Sequence, residues 1–260
     1  MTWTIRQRSK TGALAAITAG HGPKVLLLHG VGLCADAWGS QIDALVTSGF
    51  SVIAPDMPGH GDSPAHPGLV GLASYTDLVA ACPDEPVVLA GHSMGAMIAL
   101  DLAARYPEQV RGVVALNAVF RRSAAAKNAV AARAAALDGQ NTPDPSGTLA
   151  RWFGDAPSPE RAACEAWLRA VDPSGYKAAY TVFAAEDGPS TEALKNLRIP
   201  ALFATGSAEP NSTSQMAREM AALVQGSRAE VVTGAAHMMP MTHAEAVNRI
   251  LTSFVKECQP

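Results

Sequence analysis

Short apolar runs alternate along this chain with longer segments whose apolar residues recur at helical spacing. Buried strands are predicted at residues 25–29, 51–56, 87–90, 110–119, 200–206 and 229–234. The helical pattern falls on residues 36–46, 71–81, 96 onward, 212–224 and 244–254. Two further short segments, residues 3–8 and 13–18, are suited to an amino-terminal hairpin. Strands that alternate with helices and are too apolar to face water predict a parallel sheet covered on both faces.

The alternation stops after residue 120. Residues 121–190 contain no convincing strand, and helices are predicted there at residues 123–137, 160–171 and 174–185, with a loop around residues 141–147. Helices inserted between two strands of one sheet are typical of a lid over the carboxyl edge, where open α/β folds bind ligands. We therefore expect a core domain at residues 1–120 and 191–260 and a helical cap at residues 121–190.

Candidate chemistry lies where the run at residues 87–90 meets the following helix. Residues 91–95 read Gly-His-Ser-Met-Gly and fit the pattern G-x-S-x-G. A strand that turns at once into a helix needs a strained backbone at the serine, and flanking glycines leave room for the close approach of strand and helix. Negative charge that forms beside Ser93 then meets the free N–H groups at the start of the helix. This favours Ser93 as a nucleophile.

Composition limits the other possibilities. The chain has 260 residues, of which 48% are hydrophobic and 17% charged, enough for one large α/β domain. Its net charge of −3 provides no basic field for nucleic acid or anionic lipid, and no apolar run approaches the ~18 residues of a membrane span. The polar amino terminus lacks the apolar segment of a signal peptide, so we expect a cytoplasmic protein. Four scattered cysteines indicate neither a zinc site nor a disulfide framework.

Four motifs in order along the chain resemble those of the α/β-hydrolase fold superfamily. Residues 29–32 look like its oxyanion loop, residues 56–63 like the loop after its fourth strand, residues 91–95 like its nucleophile elbow and residues 236–238 like its histidine loop. The insertion at residues 121–190 falls where the family has its cap. The resemblance implies a mostly parallel, eight-stranded, doubly wound sheet with an inserted helical cap.

A serine hydroxyl needs a base within hydrogen-bonding reach, and seven histidines are candidates. His237 follows the last predicted strand and a Gly-Ala turn, so its ring can lie over the sheet edge beside Ser93. Its position and the order of the motifs favour His237 as the base. The remaining histidines are expected to be buried scaffold (His29, His60 and His92) or to lie in loops or at a helix start (His21, His66 and His243).

The resemblance also implies an acid after the seventh strand, in a position that is usually aspartate. This chain has Glu209 there, and the extra methylene must be accommodated by the backbone or the rotamer. The other site that some family members use, after the sixth strand, carries Asn117 and no carboxylate. Glu186 and Asp187 are weaker rivals. We expect Glu209 to orient His237.

The oxyanion donors implied by the resemblance are the backbone N–H groups of Val31 and Met94. A substrate pocket is expected around His29, Gly30, Trp152 and Met238. An apolar, deformable lining is expected from Val31 and from the methionines near the motifs (Met94, Met97, Met238, Met239 and Met241). For Met97 and Met241, however, packing in the core is favoured. The aromatic residues of the insertion are expected to serve packing more than ligand contact. Arg121 and Arg122 could hold a substrate carboxylate, although a solvated hinge is the simpler interpretation.

These observations predict a serine hydrolase of small, largely apolar esters, lactones, amides or thioesters, acting through an acyl-enzyme without cofactor or metal. Its expected partner is a small-molecule substrate, and its expected state is a monomer or homodimer. A carbon–carbon bond hydrolase of ring-cleavage products would use the same triad, so it remains an alternative. A non-catalytic ligand-binding protein of the same fold is the other.

Overall fold

The computed structural model describes residues 5–259 and contains the alternating elements that the hydrophobic pattern predicts. Eight strands lie in this part of the chain: β1 (Ser9–Thr11), β2 (Leu14–Ala19), β3 (Lys24–Leu28), β4 (Ser51–Pro55), β5 (Val87–His92), β6 (Val110–Leu116), β7 (Ala201–Gly206) and β8 (Arg228–Val232).

Eleven α-helices lie in the same described residues: α1 (Gly39–Thr47), α2 (Leu72–Ala80), α3 (Met94–Arg105), α4 (Ala124–Ala135), α5 (Ser146–Phe153), α6 (Pro159–Ala170), α7 (Pro173–Ala185), α8 (Thr191–Asn196), α9 (Ser214–Leu223), α10 (Met239–Thr242) and α11 (Ala244–Glu257). Two short 3-10 turns accompany them, at Ala35–Trp38 and Pro107–Gln109.

The strands form one sheet in the order β1-β2-β4-β3-β5-β6-β7-β8. β2 pairs antiparallel with β1 and β4, whereas every pair from β4 across to β8 is parallel. This confirms the predicted eight-stranded, mostly parallel sheet. Side chains alternate between its two faces, so Leu26 and Leu28 pack on the side of α2 and α3, and Val25 and Leu27 on the side of α1 and α11.

The predicted amino-terminal hairpin exists, but its first strand is not where we expected it. β1 begins at Ser9, whereas the prediction began at residue 3, which lies outside the described residues. Residues 5–8 belong to no strand because ion pairs, not a sheet ladder, hold this stretch. The buried guanidinium of Arg8 contacts Asp36 at 2.6 Å and Asp56 at 3.0 Å.

The stretch between β6 and β7 is helical, and the described chain contains no strand there. α4, α6 and α7 match the three helices that the pattern predicts, and α5 replaces the carboxyl end of the predicted loop at residues 141–147. Buried apolar residues of this stretch pack against the loops that follow β3 and β8. The cluster includes Leu149, Leu168 and Tyr176 on one side and Leu33, Met238 and Met241 on the other.

β3 and β5 are neighbours at the point where the order of the strands reverses. After β3 the chain crosses to β4 on one side, and after β5 it crosses to β6 on the other. Ligands of open α/β sheets bind at the carboxyl ends of strands at such a point. The loop after β3 and the turn after β5 therefore flank the expected binding crevice.

The turn after β5 requires close backbone contact. A Cβ atom built on Gly95 would lie 2.1 Å from the carbonyl oxygen of Leu28 and 2.7 Å from that of His29. One built on Gly91 would lie 2.1 Å from the carbonyl oxygen of Gly95. Backbone atoms cannot rotate away as side chains do, so both positions require glycine. The absence of a side chain at both positions is what allows α3 to approach the end of β3.

Gly95→Ala is expected to lower the free energy of unfolding by about 2–4 kcal/mol, because the added methyl group must push α3 away from β3. The measurement is urea unfolding followed by circular dichroism. Gly147→Ala in α5 is the matched control, since its new methyl group meets only the end of the Arg151 side chain, at 3.6 Å. Alanine favours a helix over glycine, so this control should be neutral or slightly stabilising. Equal stability of both variants would contradict the close-approach argument.

Candidate active site

Ser93 occupies a strained turn between β5 and α3. Its φ of 58° and ψ of −119° lie in a region that residues with a side chain rarely adopt. The Ser93 N–H donates to the carbonyl oxygen of Leu116 at 2.9 Å, and the carbonyl oxygen of Ser93 accepts from the N–H of Ala96 at 3.0 Å. These bonds to β6 and α3 hold the strained conformation. The residue is only 8% exposed, yet it lines a cavity.

The loop after β3 forms a tight turn against Ser93. The N–H of Leu33 donates to the carbonyl oxygen of Gly30 at 3.3 Å, and Gly32 has a φ of +79°, as the third residue of a type II turn requires. A Cβ atom on Gly30 would lie 3.0 Å from Cβ and 3.5 Å from Oγ of Ser93. The loop backbone is therefore in contact with the serine.

The N–H groups of Val31 and Met94 are available for a ligand by their place in the backbone. Val31 is the second residue of the turn, whose hydrogen bond does not use its N–H. Met94 is the first residue of α3, where an N–H has no acceptor within the helix. An anionic oxygen bound there would also meet the positive end of the helix dipole.

His237 lies in the loop between β8 and α10 and lines the same cavity as Ser93. Its Nδ1 is 3.1 Å from Oε2 of Glu209, and the Glu209 side chain is fully buried. An ionised carboxylate can only accept a hydrogen bond, so Nδ1 carries the proton and Nε2 is left as the basic nitrogen. The geometry therefore provides a base that is oriented by an acid.

Glu209 fits its loop because both carboxylate oxygens have partners. Oε1 accepts from the N–H groups of Asn211 at 2.7 Å and Ser212 at 3.2 Å, while Oε2 faces His237. Burial alone raises the pKa of this carboxyl, but the hydrogen bonds from His237 and the backbone outweigh burial and lower the pKa below its ordinary value. The extra methylene of glutamate is accommodated by a loop that folds back around the carboxylate.

The histidine loop and the acid loop are joined along their backbones. The N–H of Ala208 donates to the carbonyl oxygen of Ala235 at 2.9 Å, and the N–H of Gly234 donates to Oγ of Ser207 at 2.8 Å. His92 adds a third support, since its Nε2 donates to the carbonyl oxygen of His237 at 2.8 Å. The acid loop and the side chain of His92 therefore both fix the position of the loop that carries His237.

The buried histidines of the glycine motifs have scaffold roles, as predicted. The N–H of Met57 donates to Nε2 of His29 at 2.9 Å, and Nδ1 of His29 lies 2.8 Å from the carbonyl oxygen of Gly30. Burial lowers the pKa of His92 to about 3 and that of His60 to about 4. All three are nine-tenths or more buried, and the two with these pKa values are neutral at pH 7.

A cavity of about 450 Å³ opens above Ser93. Gly30, Val31 and Trp152 line it, as expected for the substrate pocket. His29 and Met238 do not, and that expectation was wrong: each is 1% exposed, His29 because it binds backbone groups of its own loops and Met238 because it packs in an apolar cluster. Met97 and Met241 are buried in the core, as favoured, but the lining expected from Met94 and Met239 was wrong, because both are buried outside the cavity. Met216 of α9 lines it instead.

Aromatic side chains of the inserted helices take part in the lining more than we expected. Trp152 stacks on the ring of His237, with ring centroids 5.6 Å apart and an angle of 23° between the planes. Tyr176, Tyr180 and Phe183 of α7 also line the cavity. α5, which carries Trp152, was not predicted as a helix, so its contact with the histidine could not be found from the sequence pattern.

Four arginines line the cavity, which is therefore less apolar than we predicted (Arg121, Arg122, Arg133 and Arg151). The sequence pointed to Arg121 and Arg122 as possible carboxylate ligands but favoured a solvated hinge. Arg122 is in fact only 8% exposed. Arg133 and Arg151 were missed, because nothing in an alanine-rich or a short helix indicates the direction of one side chain.

The rival acids lie elsewhere. Asp187 pairs with Lys127 at 2.8 Å and accepts from the N–H of Arg122 at 2.6 Å. Asn117, after β6, donates from Nδ2 to Oγ1 of Thr205 at 3.2 Å. Among residues 5–259, no group of three or more His, Cys, Asp or Glu side chains could hold a metal ion. In the same part of the chain, no helix has the length and apolarity needed to cross a bilayer.

Comparison with known proteins agrees with this geometry. The sequence profile of the alpha/beta hydrolase family matches residues 25–250. The chain is 37% identical over 244 residues to the (E)-2-((N-methylformamido)methylene)succinate hydrolase of Acinetobacter baylyi, a match that covers 91% of this chain and 92% of that protein. It is 30% identical over 256 residues to the pimeloyl-(acyl-carrier protein) methyl ester esterase of Neisseria meningitidis, covering 90% and 93% of the two chains.

A solved structure shares the whole architecture. The thermophilic esterase from Thermogutta terrifontis superimposes with a TM-score of 0.85 at 25% sequence identity, over 98% of this chain and 100% of that one. These two relatives and this structure are thus hydrolases or esterases, and each covers 90% or more of this chain.

Substitutions at Glu209 should reveal whether its loop has adapted to glutamate. Glu209→Gln presents an amide that can donate to Nδ1 and so favours the wrong tautomer of His237; we expect kcat to fall by up to ~10⁴, as for the aspartate-to-asparagine change of a serine protease. Glu209→Asp shortens the side chain by a methylene, which separates it from either His237 or the N–H groups of Asn211 and Ser212. A loss of about 10²-fold in kcat/KM is expected, since a misplacement of about 1 Å can have that effect.

The measurement is steady-state kinetics on an ester substrate, with Glu230→Gln as the control. Glu230 is a partly exposed residue of β8 that pairs with Arg228. Wild-type kinetics in Glu209→Gln would exclude this residue as the acid. Activity in Glu209→Asp equal to or above wild type would mean that the loop suits aspartate as well as glutamate.

Proposed function

The chain belongs to the alpha/beta hydrolase family, and on that premise we propose that it is a serine hydrolase that forms an acyl-enzyme on Ser93. The observation that carries the proposal is the hydrogen bond between His237 and buried Glu209, in a loop that lines the same cavity as Ser93. The three residues come from loops after β5, β7 and β8, in the chain order of the family.

In this mechanism the unprotonated Nε2 of His237 accepts the proton of Ser93 while Oγ attacks the carbonyl carbon of the substrate. The imidazolium that forms is stabilised by the ionised Glu209. It then donates the same proton to the leaving group as the tetrahedral intermediate collapses. Water then attacks the acyl-enzyme while His237 accepts a proton from it. His237 returns this proton to Oγ of Ser93 as the acid is released.

The N–H groups of Val31 and Met94 are the proposed oxyanion donors. Charge develops on the carbonyl oxygen only in the transition state, so donors that are already in position accelerate the reaction instead of merely binding substrate. Both are backbone groups, and the glycines around them allow the backbone to come close to Ser93. The reaction as written requires neither metal nor cofactor.

The substrate is a small ester, lactone, amide or thioester. A cavity of about 450 Å³ accommodates a small molecule and leaves one side open to solvent. The names of the two relatives refer to an N-methylformamido compound and to a methyl ester. An acyl-enzyme mechanism serves both amide and ester bonds, so the site does not have to differ between them.

We also propose that residues 121–190 act as a cap over Ser93. Two contacts support this. The ends of the segment meet where Asp187 accepts from the N–H of Arg122 at 2.6 Å and its carbonyl oxygen accepts from the N–H of Arg121 at 3.0 Å. Trp152 of α5 rests on His237. A segment that is joined at its ends and covers the histidine can open without disturbing the sheet.

The nucleophile is tested with a fluorophosphonate probe and intact mass spectrometry. Wild type should gain one label at Ser93, and Ser93→Ala should gain none and lose ester turnover by on the order of 10⁴–10⁶-fold. Ser123→Ala is the control, because Ser123 lines the same cavity but caps α4 with its hydroxyl. No labelling of the wild type would favour the ligand-binding protein over the enzyme.

The cap is tested by amide hydrogen exchange with and without the fluorophosphonate adduct. We expect α4 to α7 to exchange faster than β5 and β6 in the free protein and to gain protection when the adduct fills the cavity. Exchange as slow as that of the central strands, with no change on modification, would contradict a mobile cap.

A further inference from the structure

A buried cation, Arg122, lines the cavity. Arg122 is 8% exposed and lines the cavity, and two of its five N–H groups donate to main-chain carbonyl oxygens, those of Glu186 and Phe183. Its guanidinium also lies over the Phe183 ring, 4.5 Å from the centroid. Among residues 5–259, it forms no ion pair with a carboxylate. Burial lowers the pKa of Arg122, which means that the charged form is poorly solvated there.

Asp187, beside the main chain of Arg122, and Glu219, in the cavity wall, both have other hydrogen-bond partners. Asp187 uses one oxygen for Lys127 and the other for the main-chain N–H of Arg122. Glu219 lines the cavity from α9 and accepts from the side-chain amide of Gln215 at 2.8 Å. Within residues 5–259, Arg122 thus has no carboxylate at ion-pair distance, and the charges of Asp187 and Glu186 act on it only without such a pair. A buried charge that lacks an ion pair is costly, and a bound anion would lower the cost.

Three further arginines line the same cavity, and each is bound to a neutral hydroxyl. Arg121 donates to Thr191 at 2.6 Å, Arg133 to Tyr180 at 2.9 Å and Arg151 to Thr148 at 2.9 Å. None of them forms an ion pair within residues 5–259. Other arginines of the inserted helices behave differently: Arg161 and Arg169 pair with Glu165. Unpaired guanidinium groups are therefore concentrated on the cavity.

We propose that the substrate of this hydrolase carries a carboxylate remote from the bond that is cleaved, and that Arg122, assisted by Arg133, binds this carboxylate. The proposal rests on the proposed function for the reaction and adds the substrate class. A guanidinium matches a carboxylate in shape and can donate two parallel hydrogen bonds to it. Ser93, at the sheet edge of the same cavity, is then left to attack the uncharged carbonyl group.

The first test compares two methyl esters of equal size. Monomethyl succinate carries a free carboxylate, and methyl succinamate has a neutral amide in its place. Wild type should cleave the charged ester with at least 10-fold higher kcat/KM, mainly through a lower KM, because a contact remote from the reacting carbonyl binds ground state and transition state alike. The preference should shrink as NaCl is raised from 0.05 to 0.5 M.

The variants are Arg122→Met, Arg133→Gln and, as the control, Arg169→Gln. Arg122→Met should abolish the preference for the charged ester over methyl succinamate. Arg133→Gln, at an exposed residue whose loss does not threaten folding, should reduce the preference several-fold. Arg169→Gln removes the same charge from the outside of α6 and should leave the preference for the charged ester unchanged. An equal preference in wild type and Arg122→Met would overturn the proposal.

Binding of succinate, measured by calorimetry with unmodified protein, separates this proposal from the enzymatic one. Succinate has no bond to cleave, so its binding does not require the hydrolytic reaction. We expect Arg122→Met to weaken succinate binding at least 10-fold and Ser93→Ala to leave it unchanged. If wild type binds no succinate yet reacts with the fluorophosphonate, the carboxylate site is wrong and the serine hydrolase stands. If wild type binds succinate but does not react with the fluorophosphonate, the carboxylate site stands and the serine hydrolase is wrong.

Discussion

The site depends on how closely α3 approaches the carboxyl end of β3. Gly95 faces the carbonyl oxygens of Leu28 and His29 at distances that exclude a Cβ atom, and Gly30 in turn faces Ser93. These contacts set the separation between the serine hydroxyl and the turn that supplies the N–H of Val31. A change of a few tenths of an ångström there would alter the distance between Ser93 and the turn. In the proposed mechanism, small residues at this crossing therefore determine whether attack and oxyanion binding can happen at one carbonyl group.

Buried polar groups then hold the loops that the sheet alone would leave free. Arg8 joins Asp36 and Asp56 below the loop after β4, and the carboxylate of Asp56 also accepts the N–H of Ala35 at 2.7 Å. Glu209 and His92 hold the loop of His237 in place through hydrogen bonds to its ring and to its carbonyl oxygen. In each of these clusters charge is neutralised or donors are satisfied. Arg122 donates to two main-chain carbonyl oxygens but forms no ion pair within the described chain, and this difference is the basis for the ligand proposed there.

The core could be predicted because its signals are local. The strands are apolar runs bounded by turns, and the elbow of Ser93 requires glycines at fixed spacing. Glu209 was found through the resemblance to the α/β-hydrolase fold superfamily, which implies an acid after the seventh strand, and His237 through its place after the last strand. The inserted helices could be predicted only in part. α5 begins just after Pro145 within a polar stretch. Which of its faces points toward the cavity becomes clear only when the helix packs against the rest of the fold. The orientations of Arg151 and Trp152 depend on that packing, and the orientation of Arg133 depends on the packing of α4, so no spacing in the sequence reveals them.

The proposed reaction and the proposed recognition of the substrate fall on two different parts of the chain, and charge couples them. In the proposed mechanism a cluster of cations around the cavity favours the oxyanion but opposes the positive charge that His237 acquires when it removes the proton from Ser93. Glu209 offsets this, because its carboxylate is 3.1 Å from Nδ1 and shielded from solvent, where an opposite charge acts most strongly. A substrate carboxylate on Arg122 neutralises part of the opposing field as well. Binding of the proper substrate would therefore ease the proton transfer that its own hydrolysis requires.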